Sequence, residues 1–174
     1  LSQEAEARRG TMLDDVRNVP WASFAQPEWN DPNEVPSALR ALSSCTSEEE
    51  ALRAYHKFLY AVGNNHSGSY YPVVLPALPF LARILESDNE IARRTTLDVL
   101  IDLLGSFGPE PGFEFEGIDP ETGLRGDLRA LLHSHARIMV PVTLAIASDR
   151  SPARLRSAAL AAELAEALLE DADS

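Results

Sequence analysis

Apolar residues recur along this chain at helical intervals, and the stretches that carry them resemble one another. Three segments align: VPSALRALSSCTSEEEALRAYHKFLYAVG from Val35, LPFLARILESDNEIARRTTLDVLIDLLGS from Leu78, and VPVTLAIASDRSPARLRSAALAAELAEAL from Val140. Each opens on an apolar residue or proline, runs through a short apolar helix, crosses a polar turn and enters a longer helix. The longer helices have predicted apolar faces at Leu52, Tyr55, Leu59 and Val62, and at Ile91, Leu97, Leu100, Ile101 and Leu104. Such steps of three and four residues keep side chains on one side of a helix. The middle helix is apolar nearly all round towards its end, as expected of a helix held between two neighbours. The last, Ala153 to Leu169, is rich in alanine and is expected to turn Glu163, Glu166 and Glu170 outward, the pattern of a terminal helix with one wet face.

The turns carry helix-start signals. Ser47 with Glu50 and Ser87 with Glu90 have capping-box spacing, and Ser151 precedes Pro152 as a cap precedes proline at the first helical position. The prolines at 36, 79 and 141 are 43 and 62 residues apart. Discounting a Gly/Pro-rich insertion of about 19 residues, roughly Gly105 to Gly123, makes both spacings about 43, inside the range of HEAT and armadillo repeats. The predicted fold is therefore all-α: a short α-α superhelix, a HEAT/armadillo-like solenoid of about three helical pairs. Its repeats are expected near 35–63, 72–106 and 127–170, with the insertion at about 107–125 and residues 1–34 forming an N-terminal extension and cap. A helix starting near Asp127 would have Pro141 in its interior, which predicts a kink or break, and Pro76 and Pro79 cannot both occupy one first turn.

From Trp21 through Val35-Pro36, Leu39 and Leu42, then Asn65-His66-Ser67-Gly68, Tyr70, Tyr71 and Pro79-Phe80-Leu81, the chain resembles bacterial HEAT-repeat proteins of the actinobacterial type. The likeness covers roughly residues 12 to 105. It departs at Ser67, where that family more often has glutamine, and at Asn64-Asn65 ahead of the histidine. The resemblance implies an α-solenoid whose members are best regarded as protein-binding scaffolds.

Charge narrows the function. Among 174 residues, 27 Asp+Glu face 15 Lys+Arg for a formal net charge of −12. Nucleic-acid binding draws most of its affinity from basic groups that displace counterions, so this field disfavours it unless a basic groove forms locally. The arginines are scattered, with no run longer than Arg8–Arg9 and Arg93–Arg94. One cysteine, Cys45, cannot form an intramolecular disulfide, which suits a reducing compartment, and cytoplasm is the expectation. No continuous apolar run marks the first twenty residues, so neither signal peptide nor membrane association is expected.

Candidate chemistry concentrates in two loops. The segment from Gly63 to Pro72 gathers Asn64, Asn65, His66, Tyr70 and Tyr71 between two helical pairs, as a recognition loop would; alternatively Gly63 and Asn64 end a helix in left-handed geometry and His66 bonds loop backbone. The insertion alternates Phe113 and Phe115 with acidic neighbours, and insertions in solenoids often map to the binding face. His66, Tyr70, Tyr71, Phe113 and Phe115 are thus the expected partner-binding residues. Glu114, Glu116, Asp119 and Glu121 lack EF-hand spacing. His133 and His135 stand about 200° apart on a helix and cannot share an ion, and His135 reads as a histidine at the core edge. Cys45 and His56 lack a third orienting group and an oxyanion site. No catalytic residue, metal or cofactor is expected.

The expected function is a protein-protein interaction scaffold whose partner has a basic surface, without enzymatic activity. The alternative is an enzyme resembling HEAT-like DNA glycosylases, with Trp21 or Trp29 contacting the nucleic acid and an aspartate as catalyst. It requires a concave face dense in arginine, whereas Trp21, Trp29 and Phe24 read more simply as cover for the edge of the first helical pair.

Overall fold

A computed structural model describes residues 13–171. Arg8–Arg9, Met12, Glu4 and Glu6 therefore lie outside the described residues. The chain is mostly helical with a few two-residue strands. The helices are α1 (Glu34–Ser44), α2 (Glu48–Val62), α3 (Val74–Leu85), α4 (Glu90–Leu104), α5 (Leu128–Ala136), α6 (Val140–Ala147) and α7 (Leu155–Glu170). The antiparallel pairs α1–α2, α3–α4 and α6–α7 pack within themselves. α3 touches α1, α5 and α6, while α4 touches α2 and α7. One layer thus holds α1, α3, α5 and α6, and the other holds α2, α4 and α7. Leu39, Leu42, Phe58, Leu59, Leu75, Leu78, Leu81, Ile84, Leu97 and Leu100 fill the space between them and are shut off from solvent. Each such side chain contributes about 1.5–3 kcal/mol by leaving water.

Local chemistry sets the helix starts, with two departures from expectation. Ser47 caps α2 by accepting from the Glu50 amide at 3.2 Å, and Glu50 Oε2 accepts in return from the Thr46 amide at 3.1 Å. The second turn does not use Ser87. Asn89 is the cap, its Oδ1 accepting from the Ala92 amide at 3.1 Å, while its Nδ2 donates to Cys45 O at 2.8 Å. An asparagine can both cap α4 and tie it to the preceding pair, which a serine hydroxyl at 87 cannot reach to do. Ser151 makes no side-chain cap; it bonds Asp149, and Pro152–Arg154 form a 3-10 turn before α7 begins. Asp127 caps α5 by accepting from Ala130 at 2.7 Å.

The proline conflicts resolve differently. Pro76 lies in the first turn of α3, where amides lack helical acceptors, and Pro79 lies inside the helix. An interior proline costs about 3 kcal/mol, offset here by the burial of Val74, Leu75, Leu78, Phe80, Leu81, Ile84 and Leu85. Pro141 takes the break: α5 ends at Ala136, a 3-10 turn covers Arg137–Met139, and α6 restarts with Pro141 in its first turn. Leu128–Ala147 is long and apolar enough by length and composition to cross a membrane. A 3-10 turn tightens that stretch at its middle, and it turns Leu128, Leu132, Ala136, Met139, Thr143 and Ile146 inward, with 28% of its apolar window buried.

Two loops are stitched by strands. β1 (Gly63–Asn64) pairs antiparallel with β2 (Ser69–Tyr70), which pairs in parallel with β3 (Gly108–Pro109); β4 (Gly117–Ile118) and β5 (Arg125–Gly126) form a hairpin in the insertion. Gly63 is extended at φ −175°, not left-handed. It is glycine because a Cβ there would stand 1.9 Å from Ser69 O across the strand pair.

Candidate functional site

The expected partner-binding residues do not form one surface. Tyr70 is wholly buried, and among the described residues its hydroxyl has no hydrogen-bond partner. It is a core residue rather than a contact residue: the pairing of β2 with β1 and β3 fixes the strand, and the Tyr70 ring enters the hydrophobic core. Burial pushes the Tyr70 hydroxyl up to about 12, with Arg129 opposing the shift. Tyr71 is half-buried, and its ring meets that of Phe113 at 4.9 Å. Phe115 stays 69% exposed. His66 is exposed on another edge, its ring 5.6 Å from Tyr60, which in turn lies 5.8 Å from the exposed Trp29. The Asn64 side chain orders the loop by accepting from the His66 amide at 3.0 Å. His66 therefore belongs with Trp29 and Tyr60, and Tyr71 with Phe113.

The two tryptophans part company. Trp21 is buried against Phe80 of α3 at 6.1 Å and donates to Val16 O at 2.7 Å, while Trp29 remains at the surface and donates to Tyr60 O. Cys45 is buried and donates to Leu42 O, and burial raises its thiol, the state of an inert filler. His135 Nε2 lies 3.2 Å from Asp119, holding the insertion to α5. Among the described residues, no group of three or more His, Cys, Asp or Glu is arranged to hold a metal ion.

A groove that the sequence pattern did not single out lies on the layer of second helices. It encloses about 490 Å³ and is lined by Glu48, Leu52 and Tyr55 of α2, by Arg94, Asp98, Ile101 and Asp102 of α4, and by Arg156, Leu160 and Glu163 of α7. Such a volume is in the range of ligand pockets. α4 forms the floor and its flanking helices the walls. Leu52, expected on the core face of α2, is 60% exposed here. The buried side of α2 runs instead through Ala51, Ala54, Phe58, Leu59, Ala61 and Val62.

The charges in the groove are arranged, not scattered. Arg94 pairs with Glu48 across the α2–α4 joint. One end of the floor is acidic: the Tyr55 hydroxyl donates to Asp102 Oδ2, and burial with this carboxylate beside it pushes the phenol well up. Between them, Asp98 makes no hydrogen bond or ion pair among the described residues. Burial raises its carboxyl, opposed by the charges of Arg156 and Arg94. Four carboxylates thus face two guanidinium groups. A second recess of about 510 Å³ near the N-terminal turns, lined by Trp21, Pro36 and Asn33, holds Arg17 and Arg40 and no carboxylate.

The groove escaped detection because Leu52 and Tyr55 fit the same helical stripe as the true core positions, one residue away from it. The available signal was Asp98 and Asp102, four residues apart on a helix otherwise read as apolar nearly all round. No family model matches the chain, and neither a curated protein nor a solved structure is detectably similar to it.

Proposed function

We propose that this protein is a HEAT-like interaction module, cytoplasmic and without enzymatic activity, that binds another protein through the groove formed by α2, α4 and α7. The observation that carries the reading is the groove itself: the exposed Leu52 and the half-buried Ile101 and Leu160 lie beside an excess of carboxylate over guanidinium. Apolar anchors ringed by polar groups are the usual source of protein-protein affinity, and the acid excess suits a partner with a basic surface. Long-range attraction to a net charge of −12 would speed the encounter. Two layers of helices in consecutive pairs, with a 43-residue spacing between the first two prolines, support the solenoid reading.

The nucleic-acid alternative has less support. A glycosylase-like site needs a continuous basic groove with aromatic side chains, yet the groove is acid-rich and Trp21 is buried. Among the described residues, the recess with Arg17 and Arg40 offers two cationic side chains, few for a surface whose affinity would come from neutralising phosphates.

Affinity capture from native cell extract tests the reading with three baits: wild type, a Leu52→Ala/Asp98→Asn variant, and Phe115→Ala. Discrete protein partners are expected with wild type and Phe115→Ala, and their recovery should fall severalfold with the groove variant. Equal recovery by all baits, or capture of nucleic acid in place of protein, refutes it.

A further inference from the structure

Taking the groove to be the binding surface, as proposed above, we infer that it receives one face of an amphipathic, basic α-helix of the partner. A lysine or arginine of that helix meets Asp98, Asp102 and Glu163, and a leucine-sized side chain one turn away rests on Leu52, Ile101 and Leu160.

The secondary structure of the occupant follows from the walls. All three elements bordering the groove are helices, whose backbone amides and carbonyls are spent on their own hydrogen bonds. A peptide that docks by strand addition needs a free backbone edge, and this groove has none. A helix satisfies its own backbone and docks through side chains alone, which is what these walls offer.

The size and spacing agree. About 490 Å³ admits a few side chains, not a helix backbone, so the occupant lies across the mouth and inserts one face. Arg94, Asp98 and Asp102 follow one another at four-residue steps along α4, spanning about 12 Å at 1.5 Å per residue. Side chains at i and i+4 of a docked helix are about 5–6 Å apart, so two of them fit along that floor.

The charges select the residue types. Asp98 is half-buried and, among the described residues, accepts no hydrogen bond; a cationic side chain supplies a donor. Asp102 is held by the Tyr55 hydroxyl, which makes Tyr55 a positioning residue. Arg94 is already taken by Glu48, and Arg156 faces the remaining Asp98, Asp102 and Glu163, which leaves an excess of negative charge to recruit a cation. Acidic side chains on the occupant would meet the like charges of Asp98, Asp102 and Glu163.

The test is a titration of the ¹⁵N-labelled full chain with an alanine-based helical peptide bearing leucine and lysine four residues apart. The controls are the same peptide with glutamate for lysine, and one with a central proline that breaks the helix. The expected result is amide shifts clustered at Leu52, Tyr55, Asp98 and Leu160, with at least about tenfold weaker binding of both controls. Leu52→Ala and Asp98→Asn, both at solvent-facing groove positions, should each weaken the peptide about three- to tenfold while far-UV dichroism stays unchanged. Equal binding of either control, unaltered affinity in both variants, or shifts lying outside the groove would overturn the inference. Groove-dependent capture of a cellular protein alongside failure of the helical peptide would sink the helix assignment alone; loss of that capture dependence would sink the broader reading.

Discussion

Replacing Arg93 with methionine removes the clasp that closes the turn between α3 and α4. Arg93 is buried, and its guanidinium donates from Nε to Leu85 O at 3.1 Å and from Nη2 to Ser87 O at 2.8 Å, with Glu90 Oε2 at 3.9 Å. Leu85 is the last residue of α3, whose carbonyl has no acceptor role left within its helix. Methionine fills much of the same space but strands two carbonyls. A hydrogen bond from a charged donor contributes about 1.5–3 kcal/mol, and water reaching the exposed Asp88 side of the turn recovers part of it. The guanidinium also carries a desolvation cost, seen in its lowered pKa, which methionine relieves. The expected net loss is therefore about 2–3 kcal/mol, or about 4–12 °C in Tm at roughly 2–4 °C per kcal/mol for a chain of this size. Urea denaturation followed by far-UV circular dichroism at neutral pH measures it. Arg93→Lys should recover only part of the loss, because one ammonium cannot span two carbonyls with the geometry of a fork. A methionine variant within 0.5 kcal/mol of wild type, about the scatter of an unremarkable surface substitution, would refute the clasp.

Three further substitutions separate packing from polarity. Tyr70→Phe deletes a buried hydroxyl that lacks a partner among the described residues, so it should leave stability unchanged or raise it by about 1 kcal/mol; a loss above about 1 kcal/mol in a thermal melt would reveal a missed partner. Gly63→Ala drives a Cβ into Ser69 O and should cost more than about 2 kcal/mol, with lost amide-exchange protection at Tyr70 and Tyr71; wild-type protection contradicts it. Asp98→Asn should stabilise the protein at neutral pH. The folded-state pKa of Asp98 is raised chiefly by burial, so its contribution is most favourable below the ordinary carboxyl value of about 4 and is lost as pH rises through the folded value. The gain from asparagine should therefore be present at pH 7 and vanish below about pH 4 in paired denaturation curves; a gain that persists unchanged in acid rules out titration of Asp98 as its source.

The layout of helices was readable because amphipathic spacing, proline at helix starts and polar turns all act within a few residues. Ser47 behaves as its spacing implies. Ser87 does not, because the choice between Ser87 and Asn89 depends on Cys45 O, 44 residues away in sequence. The same distinction explains Tyr70. Its loop composition suggests exposure, but β2 is held between β1 of the same loop and β3 from beyond α4, and the Tyr70 ring joins the core. Leu52 is the converse case: its position fits a core stripe, yet it borders a groove that exists only once α2, α4 and α7 lie side by side. Faces set by local periodicity are legible in one segment, whereas a surface shared by three segments is fixed by their relative placement.

The central claim is that the groove, and not the aromatic insertion, meets the partner. A photo-crosslinking residue placed at position 52 in the groove, or at position 115 in the insertion, tests it in native cells. The account predicts discrete protein adducts from position 52 that diminish when Asp98→Asn is added, and few from position 115. Adducts from position 115 alone, or adducts from position 52 that are indifferent to Asp98, would contradict it.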